Sequence, residues 1–341
     1  MATFSVFVLR GQPVHKAHIQ IIRNGLKESD YVVAVLGSYR TPKTIKNPWS
    51  FEDRKDFIRG SLTADENKHV EITNLRDYLY SDTTWVTSLQ NIVSRIVPFD
   101  AKVVLYGHFK DDSSYYLNFF PQWELRPQPA ILEKGVLVDG TDIRRAMYED
   151  QDDYWPWFVS NHVRDKLMEF KKTEEFQRLK REYKYIMDYK KSWASAPFPP
   201  VFVTTDSVVV QAGHILLITR GTEPGKGCYA IPGGFLGQNE TIEDGTIREL
   251  REETKIAIPA AALRRYVRET KVFDHPKRSS RGRSITHASL FVLDPDKALP
   301  KVKGDDDADS AFWMPINDIN LHEENFFEDH LSIIQYFITK I

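Results

Sequence analysis

Cysteine is almost absent from this chain, which holds one in 341 residues, Cys228. A single thiol excludes a disulfide framework within the chain and fits a reducing compartment, so we expect a cytoplasmic protein. No apolar run approaches the ~18 residues of a membrane-spanning helix. The first residues also lack the basic segment of a secretory signal. These absences predict a protein with no membrane partner.

A large net charge is absent as well. The 46 Lys and Arg residues nearly balance the 48 Asp and Glu residues, which leaves a formal net charge of −2. Such a balance gives no overall electrostatic attraction to nucleic acid. We therefore expect small-molecule substrates and no nucleic-acid partner, while the oligomeric state stays open, a homo-oligomer included. The length suits about two domains.

The first part of the chain alternates short apolar runs with helical patterns. Apolar runs that end in loop residues are typical of buried parallel strands. The alternation predicts an α/β doubly wound, Rossmann-like domain over residues 1–165. The predicted strands are 4–9, 31–37 and 102–107, and the predicted helices are 17–28, 51–61, 83–96 and 142–149.

A charged, periodic stretch at 161–193 separates this part from the rest of the chain. It predicts one or two helices, and the three prolines within 195–200 end the pattern. We therefore expect a helical linker over 166–200 and a second domain over 201–341. The predicted strands of that domain are 201–211, 214–219 and 285–293, and its predicted helices are 241–255 and 328–340.

One segment of the second domain, 234–256, is the most informative part of the sequence. It reads GFLGQNETIEDGTIRELREETKI. Its Glu249, Glu252 and Glu253 are spaced i, i+3 and i+4, so they share one face of a helix. Three carboxylates on one face repel each other unless cations lie between them, and hard cations such as Mg²⁺ prefer oxygen ligands. The spacing therefore predicts a divalent-metal site.

The same segment resembles the Nudix signature, G-x5-E-x7-R-E-U-x-E-E-x-G-U, with Lys255 where the last glycine is usual. The resemblance implies an α/β/α Nudix sandwich and a metal-dependent hydrolase of a diphosphate linked to a nucleoside. The cation would be Mg²⁺, with Mn²⁺ as a substitute. A carbonyl at Gly233 would complete the metal ligands Glu249, Glu252 and Glu253, and Glu252 and Glu253 would also be catalytic. Arg248 would pair with Glu240 or Glu249.

Two histidines follow the first predicted strand, in the sequence RGQPVHKAH at 10–18. His15 and His18 resemble the H-x-G-H motif of nucleotidyltransferases, with Ala17 in place of the glycine. A helix N-terminus is an anion site. Imidazoles at this position can donate hydrogen bonds to an α-phosphate as charge develops. We predict that both histidines are catalytic and that Gly11 contacts substrate.

A second phosphate motif follows about 120 residues later. The segment 140–144, GTDIR, resembles the S-T-x-x-R motif of the same superfamily. Thr141 is predicted to cap its helix and bind a phosphate. Arg144 is predicted to hold the β- and γ-phosphates with its planar guanidinium group, as a catalytic residue.

The nucleotide acceptor is suggested by a third segment. Asn47, Pro48, Trp49, Ser50 and Arg54 resemble a segment of archaeal-type nicotinamide mononucleotide (NMN) adenylyltransferases, in which an aromatic ring can stack on the nicotinamide. Packing in the core is the alternative for the tryptophans, and solvation is the alternative for the lysine of the polar loop after the third strand. The predicted substrate contacts are Asn47, Trp49, Arg54, Trp85, Gly107 and Lys110.

The second domain also has a basic segment at 273–283, FDHPKRSSRGR. Arginines beside a diphosphate pocket bind phosphate, so Arg278 and Arg283 are predicted substrate contacts; a surface hairpin is the alternative. The general base is open between Glu323, Glu324 and the acidic loop 305–307.

Taken whole, the chain resembles the bacterial fusion family of NMN adenylyltransferase with Nudix ADP-ribose pyrophosphatase. The resemblance implies synthesis of NAD and diphosphate from ATP and NMN, and cleavage of ADP-ribose to AMP and ribose 5-phosphate. Two alternatives stay open. One is another acceptor, FMN or phosphopantetheine, with a Nudix half acting on other nucleoside diphosphates. The other is a Nudix-based regulator that senses NAD or ADP-ribose.

Overall fold

The computed structural model describes residues 1–107, 112–133 and 135–341. By its tertiary contacts the chain divides into two compact units, Met1–Lys180 and Arg181–Ile341, and each is described by itself. The domain boundaries expected at 165 and 200 stay a prediction. Among the described residues, no helix has both the length and the apolar character needed to cross a bilayer.

The first unit is built on a parallel sheet in the order β3-β2-β1-β4-β5. Its central strands carry apolar side chains on both faces, and Val33, Ala34, Val35 and Leu36 have no exposed surface. Burial on both faces is what a parallel sheet covered by helices requires. The strands are β1 (Thr3–Leu9), β2 (Tyr31–Leu36), β3 (Val70–Asn74), β4 (Lys102–Gly107) and β5 (Glu124–Pro127), followed by a small hairpin of β6 (Leu132–Glu133) and β7 (Val136–Leu137).

Helices of this unit begin at polar caps. Ser50 and Thr63 each accept a hydrogen bond from the main-chain N–H three residues on, which satisfies a donor that the helix cannot. The helices are α1 (Lys16–Glu28), α2 (Phe51–Arg59), α3 (Ala64–Lys68), α4 (Asp82–Ile96), α5 (Gly140–Tyr148), α6 (Asn161–Lys171) and α7 (Glu174–Ser192), the last of which continues into the second unit. The order and sheet confirm the predicted Rossmann-like domain.

The second unit is a mixed sheet in the order β10-β9-β8-β13-β12, with β11 paired to β8 and β14 paired to β9. The long central strands β8 and β13 are parallel to each other, and their other neighbours are antiparallel. The strands are β8 (Val201–Gln211), β9 (His214–Arg220), β10 (Tyr229–Ala230), β11 (Gly233–Phe235), β12 (Val267–Phe273), β13 (Arg283–Val292) and β14 (Ala308–Pro315).

Helices cover the two faces of this sheet. On one face Ile247 and Leu250 of helix α8 (Ile242–Thr254) pack with Val209 and Phe291. On the other face Phe337 of helix α10 (His330–Ile338) lies 6.0 Å, between ring centroids, from Phe273. A short helix, α9 (Ala260–Leu263), follows α8. This is the α/β/α sandwich that the signature implied.

Candidate functional site

The two histidines of the first motif lie at the start of α1. His15 is the cap residue and is buried, and its ring stacks on that of His18 with 3.6 Å between centroids. The main-chain N–H of His15 donates to Nδ1 of His18 at 3.2 Å. Because Nδ1 acts as an acceptor, the proton of a neutral His18 ring is on Nε2, which can donate to an anion.

The loop before these histidines is held by Gln12. Its side-chain amide donates to the carbonyl of Trp49 at 2.9 Å, and its carboxamide oxygen accepts from the Trp49 N–H at 3.1 Å. Gly11, just before it, has φ +63°, a conformation that favours glycine. The Gln12 carbonyl in turn accepts from Arg144. The structure therefore brings the first, second and third motifs together.

Arg144 is buried, and its position is set by main-chain acceptors. Besides Gln12, its Nε donates to the carbonyl of Ile45 at 3.0 Å, and its Nη2 donates to the hydroxyl of Thr141 at 3.3 Å. Burial lowers the pKa of its guanidinium to about 10, so the group stays charged at neutral pH. The helix cap is Asp139, which accepts from the Thr141 N–H. The predicted cap role of Thr141 is therefore wrong; Thr141 is an exposed residue of the first turn whose hydroxyl accepts from Arg144.

Arg54 is fully buried and makes its contacts with main-chain carbonyls. Its guanidinium donates to the carbonyls of Arg10 at 2.7 Å, Gly37 at 2.6 Å, Ser38 at 3.3 Å and Ser50 at 3.1 Å. These carbonyls belong to the loops after β1 and β2 and to the cap of α2. The contacts give Arg54 a clear positioning role; direct contact with substrate stays a prediction.

Two polar atoms beside this network have no hydrogen-bond partner among the described residues. They are Oδ1 of Asn47 and Nε1 of Trp49, and both atoms are buried. The Trp49 ring packs on Phe57 and Phe170, with centroids 6.0 and 5.5 Å away. A buried polar atom without a partner is costly in a protein interior. This favours a role in binding a ligand and leaves the ring itself in the core.

Two of the remaining predicted contacts of the first unit lie in helix α4 and at the end of strand β4. Trp85 of α4 packs edge-on against Tyr116, with 5.0 Å between centroids. Gly107 ends β4, where an added Cβ would lie 2.3 Å from the Leu117 side chain. Lys110 lies outside the described residues. Substrate contact by these three residues stays a prediction.

In the second unit, strand β11 approaches the signature helix closely. A Cβ added at Gly234 would lie 2.5 Å from the Glu249 carboxylate, so any side chain there would displace that carboxylate. The N–H of Gly233 donates to Oε2 of Glu253 at 2.8 Å. Both carboxyls are buried, and burial raises both of their pKa values, that of Glu253 to about 8. Carboxyls in such surroundings are stabilised in their charged form by a nearby cation.

Arg248 bridges the carboxylates on the other side, as predicted. It donates to Glu240 at 2.6 and 2.9 Å, to Glu249 at 2.8 Å and to Glu252 at 2.9 Å. Within the described ranges, no three His, Cys, Asp or Glu side chains converge as a preformed ion site. The donor chemistry nonetheless fits a hard cation, because carboxylates and main-chain carbonyls supply oxygen ligands only.

The predicted phosphate-binding arginines have strong protein partners. Arg278 is buried and forms a two-pronged ion pair with Asp329 at 2.9 and 3.0 Å, and it donates to the Ser284 hydroxyl at 3.0 Å. Arg283 donates to the carbonyl of Asp274. These contacts hold the 273–283 segment in its conformation. Phosphate binding by either arginine stays a prediction.

Sequence reasoning missed Asp206, which is buried opposite Gly233 in the sheet. Burial raises its pKa to about 6, and its carboxylate accepts from the Thr286 hydroxyl at 2.5 Å. The sequence contains an indication of this residue, because Asp206 is the only acidic residue in the strand VFVTTDSVVVQ. Of the proposed bases, Asp305 pairs with Lys255 at 2.9 Å, and Glu323 is buried.

Comparisons with known proteins match a different family to each part of the chain. The family model of the NUDIX domain matches residues 202–337, and the cytidylyltransferase-like family model matches residues 11–109. The nicotinamide/nicotinic acid mononucleotide adenylyltransferase of Acinetobacter baylyi is 32% identical over 185 residues, which are 53% of this chain and 93% of that one. The ADP-ribose pyrophosphatase of Methanocaldococcus jannaschii is 35% identical over 133 residues, which are 39% of this chain and 70% of that one.

A solved structure covers both halves at once. It is the bifunctional NMN adenylyltransferase/ADP ribose pyrophosphatase of Francisella tularensis, in complex with AMP and a manganese ion. That protein is 34% identical to this chain, with a TM-score of 0.91 over 100% of this chain and 99% of the other. Fold and sites thus define a two-domain enzyme of nucleotide chemistry, a nucleotidyltransferase followed by a Nudix hydrolase. The chain belongs to the family of bifunctional NMN adenylyltransferase/ADP-ribose pyrophosphatases.

Proposed function

We propose that the first unit transfers AMP from ATP to NMN, giving NAD and diphosphate. The observation that carries this proposal is the convergence of three motifs on one sheet edge, through Gln12, Trp49 and Arg144. The motifs are joined by hydrogen bonds between a side chain of one and the main chain of another, so the three lie side by side.

Each residue of this site has a role that follows from its position. The NMN phosphate attacks the α-phosphorus of ATP in line, and the charge that develops on the α-phosphate oxygens is stabilised by His15 and His18 at the start of α1. The Nε2–H of His18 is the donor, since its Nδ1 accepts from the main chain. Thr141 and Arg144 hold the leaving diphosphate, and no covalent intermediate on the protein is needed.

The second unit hydrolyses ADP-ribose to AMP and ribose 5-phosphate. Glu249, Glu252, Glu253 and the Gly233 carbonyl would hold a divalent cation, Mg²⁺ with Mn²⁺ as a substitute. Such a cation supplies polarisation of the diphosphate and activation of a water. Arg248 orients the carboxylates through its bonds to Glu240, Glu249 and Glu252. Burial raises the pKa of Glu253 to about 8, which favours its protonated form until positive charge arrives.

Two assays on the purified protein test these assignments. With ATP and Mg²⁺, NMN, nicotinate mononucleotide, FMN and phosphopantetheine are compared as acceptors; we expect NAD from NMN, and its absence would refute the first assignment. With Mg²⁺ alone, ADP-ribose, NADH and diadenosine substrates are compared; we expect ADP-ribose to be cleaved with the highest kcat/KM. Product identification separates AMP and ribose 5-phosphate from other cleavage patterns.

We also propose the compartment and the partners of the enzyme. One cysteine and no large net charge support a cytoplasmic enzyme with small-molecule substrates and no nucleic-acid partner. The substrates would be ATP, NMN, NAD and ADP-ribose.

A further inference from the structure

The last helix of the second unit begins at a buried histidine that neither proposed activity uses. His330 is the first residue of α10 and is 7% exposed. Its ring packs against that of Phe327, with 5.4 Å between centroids. Its Nδ1 accepts a hydrogen bond from the main-chain N–H of Ile231 at 3.1 Å, and this contact is buried. The imidazole therefore supplies the acceptor for a main-chain donor inside the protein.

Ile231 lies in the connection between two short strands. Strand β10 ends before Ile231 and strand β11 begins after Pro232, and a proline has no N–H to donate. The carbonyl of Pro232 accepts from the N–H of Ser207 in β8 at 2.8 Å. The connection is therefore held from two directions, by strand β8 and by His330.

The position of this connection sets the position of Gly233. Gly233 follows Ile231 by two residues, which span at most about 7 Å of extended chain. Its N–H donates to Glu253 at 2.8 Å, and its carbonyl is a proposed ligand of the cation. A Cβ at Gly234 would lie 2.5 Å from the carboxylate of Glu249, so the strand passes the signature helix at close range. A small shift of the connection would therefore move one proposed ligand and disturb another.

The surroundings of His330 keep its ring neutral and able to accept. Burial, together with the nearby positive charges of Arg278, Arg220 and Arg281, lowers the pKa of His330 well below its usual value. In a neutral ring whose Nδ1 accepts, the proton is on Nε2. The preceding residue, Asp329, accepts two hydrogen bonds from Arg278, which anchors the start of α10. The acceptor is thus fixed in place as well as in protonation state.

We propose that His330 is a positioning residue of the diphosphatase site, where it holds the connection at Ile231 so that Gly233 faces the signature glutamates. The inference rests on the proposed metal-dependent hydrolysis and adds a residue of the last helix, remote in sequence from the signature. Residues behind the ligands of a metal site orient the atoms that bind the cation. Without an acceptor at Nδ1, the buried N–H of Ile231 loses its partner, and the connection shifts to satisfy it.

The test measures Mn²⁺ binding to the full chain by electron paramagnetic resonance, without substrate. The binding that Glu253→Gln removes defines the signature site. His330→Leu removes the acceptor, so we expect the Kd of this site for Mn²⁺ to rise about tenfold or more. His330→Asn places an oxygen near the position of Nδ1 and should keep the Kd within about threefold of wild type. His214→Leu is the matched control, because His214 begins β9, whereas β10 pairs with the other end of that strand.

Activity gives a second readout. At low Mg²⁺, the kcat of His330→Leu with ADP-ribose should fall about tenfold, and raising Mg²⁺ should restore it, because the weakened step is binding of the cation. A purely structural role would lower the Tm of the chelator-treated protein and leave both the Kd for Mn²⁺ and the Mg²⁺ requirement unchanged. That outcome would overturn the inference.

A further variant covers the case in which His330→Leu does not fold. His330→Gln then takes its place, because its oxygen reaches the position of Nε2 and not that of Nδ1. Weaker Mn²⁺ binding to His330→Gln than to His330→Asn supports the positioning role, and equal binding overturns it. If the wild-type protein binds Mn²⁺ at this site but cleaves no ADP-ribose, the proposed substrate has failed, and the Kd values of the variants still decide the role of His330.

Discussion

At the scale of single residues, the buried carboxyl of Glu253 lowers the stability of the metal-free protein at neutral pH. Its carboxyl is 3% exposed, and burial raises its pKa to about 8. Between the unfolded pKa near 4.3 and this value, the folded state holds a proton that the unfolded state has released. The free energy of unfolding of the metal-free protein therefore falls as pH rises through that window.

Glu253→Gln should consequently stabilise the metal-free second unit at pH 7.5, by on the order of 4 kcal/mol, and flatten its pH slope, to which the buried Asp206 and Glu249 still contribute. Glutamine stays neutral and keeps an oxygen for the Gly233 N–H. Denaturant unfolding of the chelator-treated proteins from pH 5 to pH 9 measures this. Glu243→Gln, on the exposed side of the same helix, is the control and should change little. Parallel pH slopes in wild type and Glu253→Gln would contradict the expectation.

The residue scale also shows what spacing can and cannot predict. Glu249, Glu252 and Glu253 were found because their arrangement depends on one local helix. The partners of Arg54 and Arg278 were not found, because Arg54 meets carbonyls from separate loops and Arg278 meets Asp329, 51 residues away in sequence. Contacts of that kind come from the tertiary fold.

At the scale of elements, helix α8 ends in an unusual way. Lys255 has φ +46° and ψ +32°, the left-handed conformation in which glycine is usual at a helix end. Its ammonium group pairs with Asp305 and not with the signature carboxylates. The lysine thus adopts the turn conformation that is usual for glycine, and its charge is paired outside the signature.

Lys255→Gly should therefore stabilise the protein by about 0.5–1 kcal/mol, because relief of left-handed strain exceeds the added freedom of the unfolded chain. The lost ion pair is half exposed and worth little. Diphosphatase activity should stay within twofold. Lys255→Ala is the control that removes the charge and keeps the strain, so it should give no such gain. Thermal unfolding compares the two, and equal Tm values for them would count against the strain.

The sequence predicted strands with continuous apolar runs better than strands of mixed polarity. Strands β1, β2, β4, β8, β9 and β13 and the helices around them were placed within a few residues, since apolar runs and helical periodicity are strong there. The prediction did not include strands β3, β5, β12 and β14 or the two- and three-residue strands β6, β7, β10 and β11. Strands β3, β5 and β12 lie at the edges of their sheets, and β12 and β14 interleave charged or polar residues with apolar ones, which weakens the pattern.

At the scale of the whole molecule, each chemistry is contained in one compact unit. The histidines and Arg144 lie in Met1–Lys180, and the signature lies in Arg181–Ile341. Each unit also has its own apolar core, around Val33 and Leu105 in the first and around Val209 and Leu250 in the second. Loss of one site therefore leaves the packing of the other intact.

His18→Ala should lower adenylyl transfer at least 100-fold, since a donor to developing charge is removed, and leave diphosphatase kcat/KM within twofold. Glu253→Gln should do the reverse. Both activities are measured on each protein, with circular dichroism as the check of folding. Loss of both activities in a folded single variant would show that the two sites depend on each other.

Arg54 has a consequence for how the first unit moves. One guanidinium joins the loops after β1 and β2 to the start of α2, in addition to the hydrogen bonds between Gln12 and Trp49. The three segments are thus connected through one side chain. A fluctuation that moves any of them away must first break its hydrogen bond to Arg54, which leaves the buried guanidinium with fewer acceptors. We therefore expect the loops after β1 and β2 and the start of α2, which border the nucleotide site, to become mobile together.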